Sequence, residues 1–123
     1  MKEIIAIIRP KMVNATKAEL ERLGFPSITA IPVLGRGKQR GIADEVDVEI
    51  RPKLLEQNPT GGMKYIPKRQ IILVVQDEEV DEIAKAIIRI NQTGQFGDGK
   101  IFVCPLDDAV RVRTQEHGEA AIL

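Results

Sequence analysis

The chain has 123 residues, 43% hydrophobic and 29% charged, with 18 Lys or Arg balanced by 18 Asp or Glu, the profile of a single soluble domain spanning residues 1–123. A formal net charge of zero, no Trp, one Tyr and three Phe leave neither the excess of cations nor the rings that a nucleic-acid partner needs. Cys104 and His117 are single, which excludes an internal disulfide, a tetrahedral zinc site and a Cys–His pair; no apolar run approaches the roughly 20 residues of a membrane span, so a cytoplasmic protein without membrane insertion is expected.

The first apolar run, Ile4-Ile5-Ala6-Ile7-Ile8, predicts a strand buried on both faces and ended by Pro10. Asn14 is placed as the N-cap of a helix that turns Ala18, Leu20 and Leu23 inward and stops at Gly24, with Pro26 beyond. A second strand is expected from about Ser27 to Leu34. After a long middle segment, Ile71-Ile72-Leu73-Val74-Val75 repeats the character of the first strand. Asp77 then caps a helix whose apolar residues are Val80, Ile83, Ala84, Ile87 and Ile88. Gly94 closes the helical region, Asp98-Gly99 makes a turn, and Lys100–Cys104 and Ala109–Arg113 read as short terminal strands, the first carrying Cys104 as a buried thiol. This order predicts an α+β fold, the ferredoxin-like βαββαβ sandwich, with residues 1–35 and 68–113 as weakly similar halves. Two helices cover one sheet face only, yet the Ile-rich strands lack the alternation of a sheet with a wet side. The second face is therefore expected to be buried by another subunit.

The segment from Arg36 to about Lys68 is long for a connection inside a compact domain. Basic residues stand at both ends (Arg36, Lys38 and Arg40; Lys64, Lys68 and Arg69), with Asp44, Glu45, Asp47 and Glu49 between them. Val46, Val48 and Ile50 alternate as a strand would, up to Pro52. Two readings stand side by side: a solvated loop, or an arm that orders on a ligand or adds a strand to a partner.

Gly35-Arg36-Gly37-Lys38-Gln39-Arg40-Gly41 combines glycines that expose backbone N–H groups with cations, a combination suited to an anion. It lacks the Rossmann spacing and a following helix, and Lys100 in Gly97-Asp98-Gly99-Lys100 precedes Ile101 rather than the Ser or Thr of a Walker loop. Alone, each cluster fits a hairpin turn. Arg111 and Arg113, two apart on an expected strand, would share one face and could grip a polyphosphate; alternatively they are solvated charges balanced by Asp107 and Asp108. No acid/base or nucleophile constellation is present, and Ser27 has no His near it, so an anion-binding protein is favoured over an enzyme.

Four stretches taken together resemble the PII nitrogen-regulatory signal-transduction family almost end to end: MKEIIAIIRP, GRGKQRG at 35–41, Gln92-Thr93-Gly94 through GDGKIFV, and Arg111-Val112-Arg113-Thr114. The resemblance implies a ferredoxin-like homotrimer, or a mixed oligomer with a PII paralogue, that binds ATP or ADP in clefts between subunits and has no tightly bound cofactor. Nucleotide-binding residues would be Thr29, Gly35, Gly37, Lys38, Gln39, Gly97, Asp98, Gly99, Lys100, Arg111 and Arg113. The long flexible loop, about 37–66 between strands 2 and 3, would carry 2-oxoglutarate contacts at Gln39, Arg40 and Gly41. Gln39 would also hold Mg²⁺ beside the nucleotide phosphates, and Lys68, on a returning strand with Ile66 and Pro67, would pair with the keto acid's carboxylate.

The loop is longer than in the common PII proteins, and the tyrosine modified at its tip in many bacterial members has no counterpart; Arg51 is no substitute, and Tyr65 sits at the loop's end. Control by uridylylation is thus not expected. Lys38 replaces a common Arg, and Gln115 interrupts the usual Arg-Thr-Gly-Glu of the tail, about 114–123. The enlarged loop, the Asn91-Gln92-Thr93-Gly94 helix end and the tail Glu119-Ala120-Ala121-Ile122 resemble the nitrogenase-associated PII subfamily, which implies repression of nitrogenase through its dinitrogenase component, relieved by ATP and 2-oxoglutarate. The alternative is a general PII regulator of glutamine synthetase or an ammonium channel. Two other classes, a ferredoxin-like acyl-phosphate hydrolase and an RNA-binding module, lack respectively a recognisable catalytic set and an aromatic platform.

Overall fold

The computed structural model describes residues 1–36 and 65–123. Strand β1 (Lys2–Ile8) leads through a short 3-10 turn at Pro10–Met12 into helix α1 (Val13–Arg22); β2 (Thr29–Gly35) and β3 (Ile66–Val75) follow. A second 3-10 turn at Asp77–Glu79 opens α2 (Val80–Asn91), and β4 (Lys100–Pro105) and the short α3 (Glu119–Ile122) complete the described elements. The strands pair antiparallel in the order β2-β3-β1-β4, so the sequence-central β1 and β3 lie inside and β2 and β4 form the edges. This is the expected ferredoxin-like sheet.

The pleat sorts the apolar residues onto two faces. Ile4, Ala6 and Ile8 of β1 and Ile71, Leu73 and Val75 of β3 are buried against Leu20 of α1 and Ile83 and Ile87 of α2. Each such Ile, Leu or Val contributes about 1.5–3 kcal/mol by leaving water. On the opposite face, Ile5 lies between Ile72 and Phe102. There Ile5, Ile7, Ile72 and Val74 are half-buried, while Ile31 and Phe102 stay 40% and 48% exposed. The sheet is thus apolar on both faces, and the helices cover one.

The two helices are also tied by polar groups. Buried Thr16 donates to the Met12 carbonyl (2.7 Å) and accepts from Asn91 Nδ2 (3.0 Å), which also donates to Ile87 O (2.8 Å). Glu19 on α1 receives Arg22 and, from α2, Arg89. The Arg22 hydrogen bond, opposed by burial and helped by Arg89, lowers the Glu19 carboxyl to about 2.

Several boundaries differ from expectation. Pro10 both ends the region of β1 and starts a helical turn, since its fixed φ suits a first helical position; α1 therefore begins at Val13, and Asn14 lies inside it rather than capping it. Gln76, not Asp77, caps the second helical unit, in a reciprocal box with Glu79 whose carboxylate accepts the Gln76 N–H at 2.9 Å. Gly24 does stop α1, at φ +96°. β3 starts at Ile66 as the returning strand expected there and runs on into the apolar segment at Ile71, with Ile66, Pro67 and Lys68 paired to Gly35, Leu34 and Val33. Cys104 is only half-buried in β4.

Ala109–Arg113 is not a strand of the sheet. Among the described residues it makes one isolated bridge, Val110 to His117, as the chain doubles back on itself through Gln115 at φ +63°. Asp108 fixes that reversal by accepting from the N–H groups of Ala109 (2.8 Å) and Gly118 (3.0 Å). The expected loop strand at Val46–Ile50 lies outside the described residues.

Candidate functional site

The turn between α2 and β4 is built around Asp98. Its carboxylate accepts the N–H groups of Thr93 (2.7 Å) and Gly94 (2.9 Å) and the Thr93 hydroxyl, and pairs with Arg9 Nη1 at 2.8 Å. Burial pushes the Asp98 carboxyl up, but the Thr93, Arg9 and Gly94 hydrogen bonds outweigh it and hold the group well below the usual carboxylate range. Arg9, buried where β1 ends, also donates to Phe96 O at 3.1 Å, and Lys68 Nζ of β3 donates to Gly97 O at 2.7 Å. Two cations from two neighbouring strands thus hold the carbonyl side of the turn.

Gly97 and Gly99 have φ of +96° and +114°, the left-handed region where a side chain is strained. At Gly99 the reason is also steric: a Cβ would fall 1.9 Å from the carbonyl oxygen of Ile7. The glycine lets the turn lie directly against β1, one residue before Lys100 pairs with Ile7.

In front of this turn is an open pocket of about 600 Å³, lined by Gly35, Arg36, Lys68, Gly97, Gly99 and Lys100 together with Ile7, Ile66, Phe96 and Phe102. Among the described residues, three that line it are cations and none is a carboxylate, so the cleft favours an anion. Arg36 also stands over the Tyr65 ring, 5.8 Å from its centre, which brings together the two ends of the described chain that flank residues 37–64.

A second pocket, about 460 Å³, is lined by Thr29, Ile72, Val74 and Arg111 with Ala121 and Leu123 of the tail, among others. The structure therefore brings Gly35, Lys68, Gly97, Gly99 and Lys100 to one pocket and Thr29 and Arg111 to another. Asp98 adjoins the first but directs its carboxylate into its own turn. Arg113 lies exposed in the hairpin after Arg111, and so does not stand beside it on a strand face. Gly37, Lys38, Gln39, Arg40 and Gly41 lie outside the described residues. Arg9 is the participant that sequence reasoning missed; its only signal is a cation placed between a buried strand and a proline.

A family model described as "Nitrogen regulatory protein P-II" matches residues 1–116. The chain belongs to the PII family. Among curated PII relatives it is 58% identical, over the whole of both chains, to the nitrogen fixation nifHD region GlnB-like protein 2 of Methanobacterium ivanovii. It is 53% identical to the corresponding nifHD1 region protein 2 of Methanosarcina barkeri, over 99% of each chain. Identity falls to 39% with the nifHD region GlnB-like protein 1 of Methanothermobacter marburgensis, over 96% of this chain and 99% of that one. The similarity thus favours the second of two nif-region PII types, in keeping with the nitrogenase-associated subfamily that the sequence resembles. This PII protein is a nitrogen-signalling regulator of ferredoxin-like fold. Among its described residues, no helix is long and apolar enough to cross a membrane.

Proposed function

We propose that this PII protein is a non-catalytic, cytoplasmic sensor of nitrogen status. It binds ATP or ADP and, with Mg²⁺, 2-oxoglutarate, and it represses nitrogenase by direct binding to a nitrogenase component until ATP and 2-oxoglutarate relieve the repression. The names of its nif-region relatives support the target. The functional unit is a trimer, or a mixed oligomer with a PII paralogue, in which neighbouring copies close the apolar sheet face left open by the helices.

The observation that supports the reading is that residues expected to bind phosphate line two separate pockets of one chain. Gly97, Gly99, Lys100 and Lys68 form a cationic half-site, and Thr29 with Arg111 forms another. A nucleotide that touches both halves lies between copies. The first half suits phosphates through backbone and ammonium groups, and the second supplies a guanidinium fork. Mg²⁺, when bound, would screen the polyphosphate and join it to the keto acid, with Gln39 as the protein's oxygen donor.

Lys68 is where the two ligands meet. Its ammonium has three donors, so it can hold the Gly97 carbonyl and a 2-oxoglutarate carboxylate together. A keto acid bound there stiffens the phosphate turn, and a nucleotide on the turn orients Lys68. The coupling is reciprocal, of about 1–3 kcal/mol, and shifts the population of loop arrangements that a target protein meets.

The test is subunit complementation. Lys100→Ala and Arg111→Ala, each as a pure protein, bind ATP at least about tenfold more weakly, the loss of one charge-assisted contact. Co-expressed, they form mixed oligomers in which some clefts have both halves intact, and sites of wild-type affinity return. If the site belonged to a single chain, every site in the mixture would carry a defect and none would recover.

A further inference from the structure

Arg111 is held by the chain's own tail. Its Nη1 pairs with Glu116 Oε1 at 2.9 Å, and its Nη2 is directed at the carbonyl oxygens of Ala120 (3.2 Å), Ala121 (3.4 Å) and Leu123 (2.6 Å). The hairpin places these groups: Arg111 N–H donates to Glu116 O at 2.9 Å, Gln115 N–H to Arg111 O at 2.7 Å, and Gly118 N–H to Ala109 O at 3.0 Å. Ala121 and Leu123, together with Ile122, also wall the pocket that Thr29 and Arg111 share.

We infer that residues 116–123 are an internal competitor for the nucleotide, occupying the Arg111 guanidinium and its pocket until a polyphosphate displaces them. This rests on the nucleotide reading of Arg111 given above. A phosphate needs the same guanidinium hydrogens that now meet one carboxylate and three carbonyl oxygens. It also carries the same sign of charge as those acceptors, so the two occupants exclude one another. α3, four residues long, is far below the length at which a helix is stable alone, and it depends on this docking. Apparent nucleotide affinity is therefore the intrinsic affinity multiplied by the fraction of chains whose tail is undocked. Nucleotide binding releases the tail and gives the regulator a second moving segment besides its long loop.

The experiment uses the full chain and ATP, with hydrogen exchange at the tail and calorimetric affinity as its two readouts. Without nucleotide, the N–H groups of Gly118 and Ala121, both hydrogen-bonded, exchange slowly; saturating ATP removes that protection. The variant Ala120→Gly/Ala121→Gly keeps Arg111 and the backbone carbonyls that it meets but loosens α3, and it raises ATP affinity by between about threefold and thirtyfold, as two helix glycines would shift the docking equilibrium. Unchanged or weaker ATP binding by the variant, or tail protection that grows when ATP binds, overturns the competition while leaving the nucleotide site standing. Absence of ATP binding to both proteins overturns the nucleotide reading and the competition together.

Discussion

Gly99→Ala lowers the melting temperature by about 10 °C or more and removes ATP binding, although it adds one methyl group. The methyl would lie 1.9 Å from the Ile7 carbonyl oxygen and 3.0 Å from its carbon, both backbone atoms that cannot swing aside as a side chain can. Relief requires either the turn to lift from β1 or the β1–β4 pairing at Ile7–Lys100 to open, and both move Lys100 away from its pocket. The φ of +114° adds its own strain of about 1 kcal/mol. Gly24→Ala separates the two causes. Its φ is +96°, but nothing lies within 4 Å of the added Cβ, so only the strain is paid and the melting temperature falls by no more than about 5 °C. Thermal unfolding of the two variants, with ATP titration of each, is the measurement; equal losses would show that the close contact with β1 is not what requires glycine at 99.

The second large effect is at the Arg9–Asp98 pair, and it is asymmetric. Asp98→Ala takes the Asp98 carboxylate from the Arg9 guanidinium, whose residue is 4% exposed, and it also takes the acceptor from the N–H groups of Thr93 and Gly94. Loss of one partner from a buried pair costs about 3–5 kcal/mol. Arg9→Met leaves Asp98 with its Thr93 and Gly94 donors and a side chain still 23% exposed, so it costs about 1–2 kcal/mol. The double variant is more stable than the sum of the single losses predicts. Urea unfolding of the three variants gives these differences. Acid unfolding has the sign expected of a depressed carboxyl: Asp98 contributes fully above the ordinary Asp value of about 3.9, and its contribution is lost as pH falls toward its lower folded value. Asp98→Asn removes that part of the acid dependence, while unchanged pH dependence would show that Asp98 is not the group responsible.

Much of the fold is legible because the core residues are periodic. Ile4–Ile8 and Ile71–Val75 announce the two central strands, and Val80, Ile83 and Ile87 announce the second helix. What failed was local competition at the ends of elements. Asn14 is a good cap, but Pro10 had already started the turn; Asp77 is a good cap, but Gln76 with Glu79 satisfies more backbone. Ala109–Arg113 alternates like a strand, yet Asp108 binds the N–H of Gly118 across the hairpin and curls the segment away from the sheet.

The candidate site was less legible than the fold. Each glycine cluster reads as a turn until Gly35 and Gly97–Lys100 are seen around one cationic cleft. The placing of Lys68, Gly97, Gly99 and Lys100 at one pocket and of Thr29 and Arg111 at another follows from topology, which no local pattern encodes. Arg9 contributes through burial beneath the turn rather than by facing a ligand, so its spacing in the sequence carries no motif. The engagement of Arg111 by the tail depends on a reversal at Gln115 that breaks the expected strand.

If nucleotide and keto acid share one cleft and bind in concert, as proposed, calorimetric titration of 2-oxoglutarate into the full chain gives binding only when Mg-ATP is present, and Lys68→Met loses that binding even then. Equal 2-oxoglutarate affinity with and without Mg-ATP, or no binding under either condition, would rule out a shared, concerted site.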